Sequence, residues 1–334
     1  MNVTTEGENL PATDQATLLL LQPRGFCAGV IRAIEVVELA LQRLGQPVYV
    51  RKEIVHNRHV VEDLAARGAV FVESLDEVPS GAVVIFSAHG VSPSVRQAAG
   101  DRGLHVIDAT CPLVTKVHLE VIRYARENYT IVLIGHRDHD EVIGTLGEAP
   151  EAIRVISSVE EVDTLEVDDP ERIVYLTQTT LGIDDTREIV TKLKGRFPAI
   201  QGPPAQDICY ATENRQAAVK LVAREADAIL VVGAENSSNS NRLVEVARRT
   251  GTVAYLISCA ADIQPQWLNG RRNLGITAGA STPDFLVEEV VDRLKSWGFT
   301  SIREIEWTQE DVRFALPAEL TSSESTDREN VSTS

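Results

Sequence analysis

Short apolar runs without polar alternation recur along the whole chain: residues 18–21, 48–50, 70–72, 83–86, 106–107, 131–134, 154–156, 173–176, 228–232, 253–257 and 273–277. A strand with one wet face alternates apolar and polar side chains, so a run that does not alternate is buried on both faces. Helical stripes lie between the runs. Val30, Ile34, Val37, Leu41 and Leu44 form one; Val287, Val290, Val291, Leu294 and Trp297 form another, with Thr282 as its N-cap and Pro283 at the first helical position. Doubly buried strands alternating with helices predict an α/β fold of mostly parallel sheets covered by helices.

A length of 334 residues suits two or three such units. The composition is 43% apolar but only 5% aromatic, so the cores are built from Val, Ile, Leu and Ala. A formal net charge of -17 repels phosphate backbones and argues against nucleic-acid binding. Glu6 and Glu8 occupy the place of a basic leader, and the first apolar run is too short to span a bilayer, so a cytoplasmic location and no membrane role are expected. Residues 1–15 and 317–334 are polar and aperiodic and read as disordered extensions.

Six runs lead into loops rich in Gly, His, Cys or small polar residues. These are residues 23–27 (PRGFC), 87–90 (SAHG), 135–141 (GHRDHDE), 177–180 (TQTT), 236–241 (NSSNSN) and 277–281 (TAGAS). Ligands of open α/β sheets bind beyond the carboxyl ends of strands. Six such loops point to several sheets aimed at one centre. Cys27, Cys111 and Cys209 are spaced by roughly 90 residues, the size of a small α/β unit. Three units are therefore expected, over residues 16–111, 112–208 and 209–297, with residues 298–316 packing back on the body.

Each of these three cysteines lies at or just ahead of a helix start. Cys111 precedes Pro112, and Cys209 lies three residues before Thr212, the expected N-cap of the next helix. The macrodipole there favours the thiolate, which ligates metal. Spacing alone leaves two readings open, ordinary buried cysteines or ligands. Cys259 ends an apolar run and reads as core. Three thiolates suit an iron–sulfur cubane with one iron lacking a protein thiolate.

His56, His89 and His139 together can hold a multiply charged anion; singly, each reads rather as a satisfied surface or core histidine. His105 and His118 are assigned to structure, and His59 and His136 are left open. Glu141 is either a general acid or a solvated loop acid. The NSSNSN loop is either an anion cradle at a helix start or a plain surface loop.

Taken together, the strings PRGFCAGVIRAIE, EIVHNRHVV, FSAHGVSP, DATCPLVTKVH, GHRDHDE, TQTTLGIDDT, DICYATENRQ, NSSNSNRL and TAGASTPD resemble the 4-hydroxy-3-methylbut-2-enyl diphosphate reductases (the LytB family), in family order from about residue 18 to 297. The resemblance implies three similar α/β domains around a central 4Fe-4S cluster ligated by Cys27, Cys111 and Cys209. It implies a small diphosphate substrate held by His56, His89, His139, Ser237, Ser238, Asn239 and Ser281. It also implies proton delivery by Glu141 with Thr179, ferredoxin or flavodoxin as electron donor, and a monomer. Asp138 and Asp140 stand where the family has Gly and Pro, which puts the shape of that loop in question. A zinc hydrolase, or a non-catalytic redox sensor or phosphate-binding module, is the rival reading of the same side chains.

Overall fold

The computed structural model describes residues 16–321, so the expected disordered stretch 1–15 and most of the expected tail lie outside the described residues. Among the described residues there are twelve strands: β1 (Thr17–Gln22), β2 (Val48–Arg51), β3 (Ala69–Val72), β4 (Val83–Phe86), β5 (His105–Asp108), β6 (Thr130–Ile134), β7 (Ile153–Ile156), β8 (Ile173–Thr177), β9 (Ala228–Val232), β10 (Val253–Ile257), β11 (Asn273–Ala278) and β12 (Ser301–Glu306). They form three sheets, in the orders β3-β2-β4-β5, β7-β6-β8 and β10-β9-β11-β1-β12. Every neighbouring pair is parallel.

Each sheet carries a core on both faces, as unbroken apolar runs require. Leu18 and Leu20 of β1 enter one core of the five-stranded sheet, and Leu19 and Leu21 enter the other. In the four-stranded sheet Ile85 faces one side while Val84 and Phe86 face the opposite one. Val132 and Ile134 of β6 divide from Ile131 and Leu133 in the same way.

Strand order departs from chain order at both ends. β1, grouped by sequence with residues 16–111, is hydrogen-bonded between β11 and β12 instead. β12 has no apolar run to announce it. Its residues Ser301, Ile302, Arg303 and Glu304 are exposed, and among the described residues it pairs with β1 alone, in register from Thr17 opposite Ser301 to Gln22 opposite Glu306. The polar tail expected from Pro317 starts with a helical turn, Ala318–Thr321, whose Leu320 is 1% exposed against the core of the four-stranded sheet. One apolar side chain with a pocket to fill outweighs the polar composition around it. No helix among the described residues is long and apolar enough to cross a membrane.

Candidate functional site

Cys27, Cys111 and Cys209 are the N-cap residues of the helices Ala28–Leu44, Pro112–Arg126 and Tyr210–Val222. The third helix starts earlier than Thr212 suggests: Thr212 lies inside it, and its backbone N–H donates to the Cys209 sulfur at 3.4 Å. Thr282 likewise falls outside its helix, Asp284–Ser296, which Pro283 caps; its hydroxyl donates to the Val232 carbonyl at 2.9 Å. Cys259 is half-buried rather than core. It caps a short 3-10 turn after β10, the strand at the edge of its sheet.

The three thiols line a single cavity. Gly29, in the first turn after Cys27, makes that approach possible. A Cβ there would lie 2.7 Å from the Cys111 sulfur and 3.8 Å from the Cys27 sulfur. Burial pushes the Cys111 thiol up to about 12 and the Cys209 thiol up to about 11, and the neighbouring thiols add to both shifts. At Cys111 and Cys209 the helix N-terminus therefore does not by itself stabilise the thiolate, contrary to the expectation from sequence; desolvation wins. Three sulfurs converging on one cavity are the donor set of a soft metal or iron–sulfur centre.

The same cavity is lined by His56, His89 and His139. His56 and His89 stack with ring centroids 4.0 Å apart, and His139 meets both edge-on, at 5.5 and 5.9 Å. Burial, then the charges of His56 and His139, hold His89 well below the usual imidazole range. Burial, then His56, lowers His139 to about 4. His139 Nδ1 accepts the Glu141 backbone N–H at 3.2 Å, capping the helix Asp140–Leu146, so in the neutral ring Nε2 carries the proton. His56 Nε2 is buried without a partner, while its Nδ1 lies 3.1 Å from Glu53 Oε2. Packed imidazoles among which His139 offers its Nε2–H as a donor suit a ligand that accepts hydrogen bonds, an anion above all.

The two acids in this loop do not spoil that polarity. Asp138 is exposed, and Asp140 is ion-paired with Lys52. His56, His89 and Asp140 bring one ligand atom each within 4.8 Å of one another. A cation there would have to displace the Lys52 ammonium, which favours an anion instead.

Glu141 is 3% exposed. Its Oε1 accepts the Thr179 backbone N–H at 2.7 Å, and its Oε2 lies 3.1 Å from the Thr179 hydroxyl. Burial raises its pKa to about 7; the two Thr179 bonds oppose the shift, and the charge of Asp207 adds to it. The Thr179 carbonyl accepts the Cys209 N–H at 3.0 Å, tying the acid to a cysteine loop.

Opposite lie Ser237, Ser238, Asn239 and Ser281, also on the cavity wall. Ser237 caps the helix Ser238–Arg249, with Oγ accepting the Ser240 N–H at 3.3 Å. Asn239 accepts the Ala280 N–H at 2.9 Å and donates to the Thr212 hydroxyl at 3.2 Å. The Ser281 hydroxyl donates to the His56 carbonyl at 2.9 Å. All twelve residues singled out from the sequence thus meet around one cavity. His118 is buried against Glu148 and His136 against Arg242, both outside the cavity wall.

Several residues around the site escaped the sequence reading. Thr180, Tyr210 and Phe314 line the cavity. Gln178, 1% exposed, joins three loops: it accepts the His136 N–H at 3.1 Å and donates to the hydroxyls of Thr180 at 2.9 Å and Ser238 at 3.3 Å. Its place inside the TQTT string was the only available signal.

Comparison with known proteins agrees with this geometry. The family described as LytB protein matches residues 18–295. A 4-hydroxy-3-methylbut-2-enyl diphosphate reductase of Leifsonia xyli subsp. xyli is 54% identical over 314 residues, 94% of this chain and 93% of that protein. One from Bordetella pertussis is 57% identical over 305 residues, 91% and 94% of the two chains. The solved E-1-hydroxy-2-methyl-but-2-enyl-4-diphosphate reductase of Plasmodium falciparum superposes with a TM-score of 0.90 at 41% identity, covering 92% of this chain and 97% of that one. With its fold and nearly its whole length in common with these proteins, the chain belongs to the LytB family.

Proposed function

We propose that the protein reductively removes the allylic hydroxyl of (E)-4-hydroxy-3-methylbut-2-enyl diphosphate, giving isopentenyl and dimethylallyl diphosphate, the last step of the non-mevalonate isoprenoid pathway. The observation that carries this reading is a single cavity with three thiols, three imidazoles and a buried acid on its wall. In balance, the C–O bond breaks, two electrons and two protons are consumed, and the oxygen leaves as water. Cys27, Cys111 and Cys209 would hold a 4Fe-4S cluster, which would supply single electrons drawn from a ferredoxin or flavodoxin.

The protein's own side chains do the rest. His56, His89, His139, Ser237, Ser238, Asn239 and Ser281 hold the diphosphate through N–H, hydroxyl and amide donors, which fixes the hydroxyl end and lowers the entropy cost of reaction. Glu141, with a pKa near 7, carries a proton at working pH and passes it through the Thr179 hydroxyl to the departing oxygen. The aliphatic and aromatic wall excludes water from the reduced intermediate. We assign the protein to the cytoplasm, as a monomer.

The test is anaerobic purification with a visible spectrum and a metal count. A brown protein containing iron is expected, and Cys111→Ser should lose iron and activity together. A colourless protein with zinc would point to a hydrolytic metal site instead.

A further inference from the structure

Two arginines, on the helices that follow Cys27 and Cys209, are buried, and each reaches from its own helix to another cysteine-bearing loop. Arg215 is 0% exposed. It donates to the Gly25 carbonyl, two residues before Cys27, at 2.8 Å, and to both carboxylate oxygens of Glu310 at 3.1 and 3.2 Å. Arg32 is 9% exposed. It donates from Nε to the Ala315 carbonyl at 2.7 Å, from Nη1 to the Thr110 carbonyl at 3.1 Å and from Nη2 to the Asp108 carbonyl at 3.4 Å. Thr110 is the peptide neighbour of Cys111, and Ala315 follows the cavity-lining Phe314. One guanidinium therefore joins the Cys27 helix, the Cys111 loop and the C-terminal segment.

The two arginines differ in charge balance. Arg215 is ion-paired with Glu310. Arg32 has carbonyl partners only, and among the described residues no carboxylate lies within ion-pair distance of it. The Asp108 carboxylate is turned to the Thr110 N–H and hydroxyl. A buried cation held by neutral dipoles is unfavourable unless negative charge lies close by. Glu35 and Asp108 border the same clefts as Arg32 without pairing with it, and ligated sulfurs at Cys27 and Cys111, in the two segments that Arg32 joins, would add negative charge from the side of the cavity.

We propose that Arg32 is a positioning residue of the metal centre. It locks the Cys111 loop to the Cys27 helix and the C-terminal segment, and its charge offsets that of the ligated sulfurs. This rests on the iron–sulfur reading above. A fixed positive charge beside a redox centre favours the reduced, more negative form, so Arg32 raises the reduction potential.

The test compares anaerobically purified holoenzyme with Arg32→Met and Arg32→Lys. Iron per chain, midpoint potential and the rate at which visible absorption is lost in air are measured on each. Arg32→Met should show a more negative potential and bleach about tenfold faster, since charged hydrogen bonds no longer oppose local opening. Arg32→Lys should keep the wild-type potential yet also bleach faster, because an ammonium does not reproduce the planar fork. Wild-type potential and bleaching in Arg32→Met would overturn the proposal. If Arg32→Met does not fold, wild-type bleaching in Arg32→Lys overturns it. An iron-free wild type sinks the iron–sulfur reading and this proposal with it, whereas brown wild type with unaffected variants sinks the Arg32 role alone.

Discussion

Glu141 and Thr179 show how burial gives an ordinary carboxyl an acid's task. In water Glu141 would be ionised at neutral pH; inside the protein its proton is held up to about pH 7. If the protonated form delivers the proton, turnover is high below that value and falls as pH rises through it. Glu141→Gln should lower kcat by roughly 10²–10⁴ and erase this limb of the pH profile, because an amide neither gives nor takes the proton. A wild-type profile in that variant removes Glu141 from the role. Gly29 makes a second residue-level prediction. The 2.7 Å approach that an added Cβ would make to the Cys111 sulfur leaves that thiol no room to keep its place. Gly29→Ala should therefore lose most of its iron while keeping wild-type circular dichroism; full iron content would contradict the convergence of the thiols. The histidines add a third. His89 and His139 are held neutral when free, so binding of a diphosphate at pH 6 should draw in protons. Calorimetry in two buffers of different ionisation enthalpy measures that uptake, and equal heats in both would exclude it.

The strands differ in how much they matter. β1 lies between two neighbours with a core on each face. Leu19→Ala should destabilise the protein by about 2–5 kcal/mol, whereas Ile302→Ala on the exposed edge strand β12 should cost under about 1 kcal/mol. Urea unfolding midpoints check the contrast. The same contrast governs what can be read from sequence. β1 is legible because four leucines in a row fit only a doubly buried strand. β12 is not, because Arg303, Glu304 and Glu306 look like solvent and it is the edge of β1 that recruits them into a sheet. Among the site residues, Cys111 is legible through its Pro112 neighbour, and the shared cavity is not, since it depends on how three sheets pack. Arg32 and Arg215 go unread for another reason. On a helix, arginine ordinarily marks the wet face, and only tertiary structure shows these two buried.

At the scale of the molecule, the site belongs to no single sheet. Loops after β1, β4, β6, β8, β9 and β11 all reach it, and the segment 307–316 closes over one side through Glu310, Phe314 and Ala315. A metal centre held by Cys27, Cys111 and Cys209, which lie in three different segments, would stabilise only the assembled form. Removing iron by chelation should therefore lower the unfolding temperature by several degrees, measured by circular dichroism against the untreated protein; an unchanged value would mean that the loops hold together unaided.

The placement of β1 has a consequence for biosynthesis. β1 is the first strand to leave the ribosome, yet its neighbours in the sheet, β11 and β12, are the last two to be made. Its leucines meet core partners from residue 218 onward, but both sheet neighbours are in place only once residue 306 has emerged, and the Cys27 thiol follows close on its end. If the three thiols hold iron, its loading should wait for β1 to be docked between those neighbours, and a nascent chain stalled before β11 should carry no iron.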